Sequence, residues 1–341
     1  MRVFVINCGS SSIRYQLLDS DSGRVLQKGK AERVHELEGG HGEALKEILS
    51  GLDASSIEAV GHRVVHGGDQ FFDSVIVDDQ VIDAIHRCDV YAPLHNPANL
   101  LGIEVAMQST PQVPQVAVFD TAFHQSLPDH AFRYAIPQNL YQAHHVRRYG
   151  FHGTSHHYVA KQAARIIARP LNSLNLISLH LGNGASATAV KEGKSIDTSM
   201  GMTPLEGLIM GTRSGDIDPA IVFYLARQTG LGRDAVESIL NKDSGLKGIC
   251  GFNDMREIEM RAMEGDARAQ LAFEMFCYRI RKYIGAYYAV LGRLDALIFT
   301  AGIGEKSPLV RERSCRGLTH LGIIIDPQKN DRTANEAFEI Q

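Results

Sequence analysis

The chain is short of the features that mark secreted, membrane or sulfur-ligated proteins. Its five cysteines, Cys8, Cys88, Cys250, Cys277 and Cys315, are odd in number, far apart and without any Cys-x-x-Cys pair. That excludes a disulfide framework and a zinc motif and leaves reduced thiols. Apolar runs are brief: Met1-Arg2-Val3-Phe4-Val5-Ile6-Asn7 is too short for a signal-peptide core. No stretch of about eighteen apolar residues occurs either, so a cytoplasmic protein without a membrane partner is expected. Charge is nearly balanced, with a net −4, and the lysines and arginines are scattered. Nucleic acid therefore finds no basic footprint.

Several catalytic signatures are also missing. Gly193-Lys194-Ser195 looks like the end of a P-loop, but Thr188 stands where the first glycine belongs. Gly182-x-Gly184-x-x-Ala187 matches a dinucleotide fingerprint by letter, yet a strand pattern follows where that unit requires a helix. No Gly-x-Ser-x-Gly elbow supports Ser–His–Asp hydrolysis. His152 and His156 have helical spacing without an acidic or sulfur partner, so a phosphate-facing donor at His152 fits better than zinc.

Two small-residue turns are present instead, Asn7-Cys8-Gly9-Ser10-Ser11-Ser12 and His180-Leu181-Gly182-Asn183-Gly184-Ala185-Ser186. Each follows an apolar strand pattern and runs into another, so both read as hairpins whose backbone amides and hydroxyls can approach an anion. Around them the chain repeats itself. Strands at Val3–Ile6, Ile13–Leu18 and Arg24–Gly29 precede a helix at Glu43–Leu49, a strand at Ile57–Val65, helices at Val81–Cys88 and Ala98–Met107, and a strand at Gln115–Phe119. The second half begins the same way at Leu174–Leu181, Ala185–Val190 and Ser195–Thr198, and reaches Ala296–Thr300 and a final helix after further helices. The 341 residues hold two domains, and the duplicated α/β unit predicts a boundary near Arg148, with domains 1–148 and 149–341 and a ligand cleft between them. A long helix is predicted over Ala267–Leu291, its apolar stripe serving the core or a dimer contact.

Arg63 in Gly61-His62-Arg63-Val64-Val65-His66-Gly67-Gly68 and Arg213 in Gly211-Thr212-Arg213-Ser214-Gly215-Asp216 read as anion clamps, since the guanidinium is permanently charged and forked. Asp120 follows a strand, where α/β folds put catalytic groups or simple caps. Phe299-Thr300-Ala301-Gly302-Ile303-Gly304-Glu305-Lys306-Ser307-Pro308 runs from strand to helix. Ser307 is its expected N-cap and Pro308 the first helical residue, either a plain βα turn or a phosphate-binding one.

Together with Pro93-Leu94-His95-Asn96-Pro97, Arg148 to His156 and Thr203 to Asp216, these segments closely resemble the acetate kinase family across nearly the whole chain. The resemblance implies duplicated βββαβαβα, ribonuclease H-like domains of the actin-like ATPase fold, a homodimer, and reversible transfer from ATP to acetate giving ADP and acetyl phosphate. It implies Mg²⁺ or Mn²⁺ bound at Asn7, with Ser10 and Ser12 near the phosphate. Asp120, His152, Arg213 and Arg63 become the catalytic group, and Arg63, Val65, Leu94, His95, Phe151 and Pro204 the acyl site. Nucleotide contacts fall to Arg14, His180, Leu181, Gly182, Asn183, Gly184, Asp254, Met255, Arg256, Gly302, Ile303, Gly304, Glu305 and Lys306. Propionate kinase is the alternative within the family. Arg14 stands for the family's usual lysine and Lys306 for a common asparagine, while the chain stops at Gln341, before the family's last strands and a metal-associated glutamate. That ending predicts exposed apolar surface near Leu321–Ile325 and allows an ATP-binding homologue with weakened transfer.

Overall fold

The computed structural model describes residues 1–9, 12–32, 34, 40–51, 56–93, 95–332 and 336–341, and its contacts divide the chain into two units, Met1–Gln125 and Ser126–Gln341. In the first unit, β1 (Arg2–Cys8), β2 (Ser12–Asp19) and β3 (Val25–Glu32) form an antiparallel meander, followed by α1 (Gly40–Ser50) and β4 (Ala59–Val64). Then come the short β5 (Val75–Ile76), α2 (Asp79–Arg87), α3 (Asn96–Ser109) and β6 (Gln115–Phe119). The sheet order is β3-β2-β1-β4-β6-β5, with β1, β4 and β6 mutually parallel and β5 an antiparallel edge. The carboxyl ends of these three parallel strands lie side by side. That is where open α/β sheets bind ligands.

Period-two alternation drives the assembly. Phe4, Ile6 and Cys8 of β1, with Ile13, Leu17 and Val60, bury against Leu45 and Leu49 of α1 and Val105 and Ala106 of α3. Val64, Ala117 and Phe119 join Val81, Ile85, Leu100 and Ile103 in a second cluster, where Phe71 stacks on Phe119 at 4.2 Å. Each fully buried Ile or Phe contributes roughly 1.5–3 kcal/mol. Gly102 permits α3 to approach: a methyl there would sit 2.6 Å from Cys8 Sγ.

The second unit begins with α4 (Asp129–Phe132), α5 (Gln138–His144) and α6 (Gly153–Ile167), followed by β7 (Asn175–Leu181), β8 (Ala185–Lys191) and β9 (Lys194–Thr198). Helices α7 (Ala220–Thr229), α8 (Arg233–Lys242), α9 (Gly245–Cys250), α10 (Met255–Met263) and α11 (Ala267–Leu291) precede β10 (Ala296–Thr300), α12 (Ala301–Lys306), α13 (Pro308–Cys315) and α14 (Pro327–Asn330). Its sheet, β10-β7-β8-β9, repeats the β4-β1-β2-β3 order of the first unit, parallel pair included. The duplication read from sequence is realised. Residues 126–148, assigned to the first domain from sequence, pack with the second unit: Ser126 Oγ donates to Ser195 O at 2.9 Å, and Arg148 Nη1 to Thr198 O at 2.9 Å.

The predicted bounds of α11 hold, and Asp266 caps it by accepting from Arg268 N and Ala269 N. Its stripe divides, with Ile284, Tyr287 and Leu291 buried while Leu271, Met275 and Tyr278 stay exposed. Ser307 caps α13 as expected, accepting from Val310 N at 3.0 Å. The glycine stretch before it is itself helical, however, because α12 starts directly after β10. Residues 321–325 form no strand, and Ile324 is exposed. All five cysteines are buried and unpaired, and burial pushes Cys8, Cys277 and Cys315 up to about 12. A thiolate nucleophile is excluded at those three. Among the described residues no helix is long and apolar enough to cross a membrane.

Candidate active site

In the first unit, Asn7 near the end of β1, Arg63 near the end of β4 and Asp120 just after β6 meet through hydrogen bonds. Arg63 Nε donates to Asp120 Oδ1 at 3.0 Å and Nη2 to Oδ2 at 2.6 Å, a bidentate fork, while Nη1 donates to Asn7 Oδ1 at 3.3 Å. Asp120 is buried and the Arg63 side chain keeps 38% exposure, so the carboxylate is fixed and the guanidinium still reaches solvent. The Asp120 charge raises the Arg63 pKa, which keeps the cation permanent. Arg14 lies opposite Asn7 in the β1–β2 register, so it belongs to this unit and not to the one carrying the other expected nucleotide residues. The hairpin turn closes with Gly9 N donating to Ser12 O at 2.8 Å. Ser10 and Leu94 lie outside the described residues.

Two buried asparagines that sequence analysis left without a role brace this corner. Asn99 Nδ2 donates to Cys8 O at 2.6 Å, and its Oδ1 accepts from Val65 N at 3.0 Å. Asn96 brackets His66, accepting from its N at 3.1 Å and donating to its O at 2.9 Å. Polar side chains three apart in the otherwise apolar opening of α3 were the available signal. His95 precedes Asn96 at the start of the helix, and Val65 is buried.

In the second unit, His152 adopts φ +58° as it enters α6, a conformation non-glycine residues rarely take. Its ring stacks on His180 at 4.1 Å, and its Nδ1 lies 2.9 Å from Ser186 Oγ. Arg213 Nη1 donates to Pro204 O at 2.8 Å. A methyl at Gly184 would stand 3.3 Å from Arg213 Nη2 and 3.6 Å from His152 Nε2. Both side chains therefore flank the β7–β8 turn, where a methyl at Gly184 would press on the guanidinium.

The loop carrying Pro204 and Arg213 is held by side chains far away in sequence. Arg148 Nη2 donates to Glu206 Oε1 at 2.6 Å, Tyr134 Oη donates to Glu206 Oε2 at 2.5 Å, and Tyr283 Oη donates to Asp216 Oδ2 at 2.8 Å. Burial first, then the Glu206 charge, pushes the Tyr134 phenol up, so it remains a donor. Phe151 is buried and Pro204 half-buried.

The remaining expected nucleotide residues gather around the same turn. Gly211 N donates to Asn183 O at 2.9 Å, and Asn253 Nδ2 to Asn183 Oδ1 at 3.4 Å, which brings the start of α10 alongside. There Arg256 is exposed and paired with Asp254, the N-cap, while Met255 is buried. A methyl at Gly182 would lie 3.8 Å from Ala301 Cβ, and one at Gly304 3.7 Å from Leu181 Cβ, so α12 packs beside the hairpin. Glu305 Oε1 accepts from Ala301 N at 3.1 Å across the first turn of α12; Gly302 and Lys306 are exposed and Ile303 is half-buried.

Both constellations set a forked cation at the ends of parallel strands or beside a glycine turn, an arrangement that orients and neutralises an anion. On a duplicated fold of the actin-like ATPase type, that defines a phosphotransferase.

The family can be stated as well. The acetokinase family profile matches residues 2–339, and the chain belongs to that family. The acetate kinase of Syntrophobacter fumaroxidans is 54% identical, the match covering 100% of this chain and 90% of that protein. The crystal structure of Porphyromonas gingivalis acetate kinase superposes with a TM-score of 0.93 at 42% identity, covering 99% of this chain and 92% of that one. A propionate kinase from Francisella tularensis gives 0.92 at 46% identity, over 97% and 91%.

Proposed function

We propose that the protein catalyses ATP + acetate ⇌ ADP + acetyl phosphate by direct in-line transfer. The observation that carries this reading is the Arg63 fork, whose guanidinium holds Asp120 with one edge and Asn7 with the remaining nitrogen. Acetate is already ionised at neutral pH and needs no base. Asp120 therefore serves to aim Arg63 and the ligands beside it, in place of abstracting a proton. Arg63 and Arg213 neutralise the carboxylate and the transferring group while charge shifts, and His152 donates to a phosphoryl oxygen; such positioning and charge stabilisation account for most of the rate in phosphoryl transfer. The turn at Gly182–Gly184, with Asp254–Arg256 and Gly302–Lys306, takes the nucleotide.

The donor set of the first unit suits a hard divalent cation, because Asn7 and Asp120 offer oxygens and Mg²⁺ typically takes only one or two protein oxygens beside phosphates and water. Asn7 would hold it, with Asp120 ordering its water. When bound, Mg²⁺ supplies charge neutralisation on the phosphates.

Val65 and His95 of the first unit are assigned to the acyl group. The similarity to a propionate kinase favours a second substrate, propionate. The branched Val65 side chain crowds the extra methyl, and one methylene is worth ~1–3 kcal/mol, so preference for acetate is partial. Exposed Phe223 and Tyr224 of α7, with Leu271 and Tyr278 of α11, support self-association as a homodimer.

A MgATP-dependent hydroxamate assay with acetate, propionate and butyrate tests the reading beside direct ATP binding. Acyl phosphate from acetate is expected. ATP binding with no acyl phosphate from any acid would overturn it, and a higher kcat/KM for propionate would make the second reading the right one.

A further inference from the structure

Behind His152 runs a buried chain of hydrogen bonds. His152 Nδ1 is 2.9 Å from Ser186 Oγ, Ser186 Oγ is 2.7 Å from His156 Nε2, and His156 Nδ1 is 2.9 Å from Ser178 Oγ. Ser178, His156 and Ser186 are completely buried. They come from β7, α6 and β8, so the chain crosses three elements.

A hydroxyl carries one proton and two lone pairs, so Ser186 either donates to one imidazole and accepts from the other, in one of two polarities, or accepts from both. In the outward polarity Ser178 donates to His156 Nδ1, His156 Nε2–H donates to Ser186, and Ser186 donates to His152 Nδ1. A neutral His152 then carries its proton on Nε2. In the inward polarity every donor reverses, and a neutral His152 presents a bare lone pair at Nε2, as it also does where Ser186 accepts from both rings.

Surroundings choose between them. Among the described residues, the charged or titratable groups facing His152 include Arg213, whose Nη2 shares the Gly184 corner with His152 Nε2, the stacked ring of His180, and His156 through Ser186. A second positive charge beside Arg213 is disfavoured. A bare lone pair would repel an anionic phosphoryl group. Only the outward polarity gives a neutral ring that still donates.

We propose that Ser178, His156 and Ser186 form a proton-ordering wire that holds His152 neutral with its proton on Nε2, where it donates to the transferring group. Ser186 and His156 are thus positioning residues. Both the purpose of the wire and the choice of its polarity rest on the phosphotransferase reading, while the spectrum reads the tautomer independently of activity.

Two-bond ¹H–¹⁵N spectra of the full chain labelled with ¹⁵N-histidine, at pH 7.5, read the tautomer directly, with His152 assigned by the signals lost in His152→Asn. The expected wild-type pattern is protonated Nε2 and bare Nδ1. In Ser186→Ala the His152 tautomers should mix and kcat should fall about tenfold with the KM for ATP little changed, since the ring's orienting partner is lost. A wild-type Nδ1–H tautomer or imidazolium would overturn the proposal, as would a Ser186→Ala variant with unaltered tautomer and turnover. Should that variant not fold, Ser178→Ala reads the far end of the wire, and the wild-type spectrum alone remains decisive. A chain that makes no acyl phosphate yet shows the Nε2–H pattern fails the function and upholds the wire.

Discussion

Arg63→Lys separates charge from geometry at the first constellation. If Arg63 were only a positive point, lysine would replace it; the structure says otherwise, because three of its nitrogens are in use. An ammonium reaching Asp120 can satisfy one carboxylate oxygen well, leaving the other oxygen and Asn7 Oδ1 short of their donor. A lost hydrogen bond to a charged group is worth about 1.5–3 kcal/mol and a neutral one about 0.5–1.5 kcal/mol. The combined loss is about 2–4.5 kcal/mol, or roughly 30-fold to 2,000-fold in rate if it falls on the transition state. Part of it can instead appear as lost stability, since Asp120 is buried. The assay is therefore steady-state kcat and KM for acetate together with a denaturant melt. A kcat within about threefold of wild type and an unchanged melt would refute the argument that the fork, and not its charge, is what the site requires.

Arg213→Ala should lower kcat by about 10³-fold while the KM for ATP moves within about threefold, as for other arginines that act on the transferring group; near-normal turnover in steady-state kinetics removes that role. Val65→Ala should move the propionate-to-acetate ratio of kcat/KM toward propionate by about tenfold, and an unchanged ratio eliminates Val65 as the gate. His62 is buried and its Nε2–H donates to Gln115 Oε1 at 2.8 Å; burial lowers its pKa to about 4. The unfolded chain, with a histidine pKa near ~6.5, binds the extra proton first, so stability is present above that pH and is lost as pH falls from about 6.5 to about 4, at up to ~1.4 kcal/mol per pH unit. Denaturant melts across this window should show a shallower acid limb in His62→Gln; an equal slope contradicts the assignment.

Strands and the long helix were legible because their signals are local. Alternation in Phe4, Ile6 and Cys8 and the Asp266 cap ahead of α11 are written in consecutive residues. The helix at 301–306 was not legible, since Ala-Gly-Ile-Gly-Glu-Lys has weak helical propensity. It forms because Glu305 reaches back to Ala301 N and the buried Arg311 donates to Gly304 O at 2.9 Å and Glu305 O at 2.8 Å, satisfying the terminal carbonyls. The asparagine braces and the Arg148–Glu206–Tyr134 tie were equally hidden, because their partners lie tens of residues apart in the chain.

By itself the sequence determined the duplicated α/β plan, the glycine turns, and the residue types that can grip an anion, since hydrophobic period and side-chain chemistry are properties of short segments. Only the tertiary structure decided which atoms of Arg63 face Asp120 and Asn7, and that Arg213 and His152 share the corner at Gly184. It also decided that His152 sits at the end of a buried serine and histidine chain. Those pairings depend on strand register and on buried polar groups finding partners across long stretches of sequence, which no local pattern encodes.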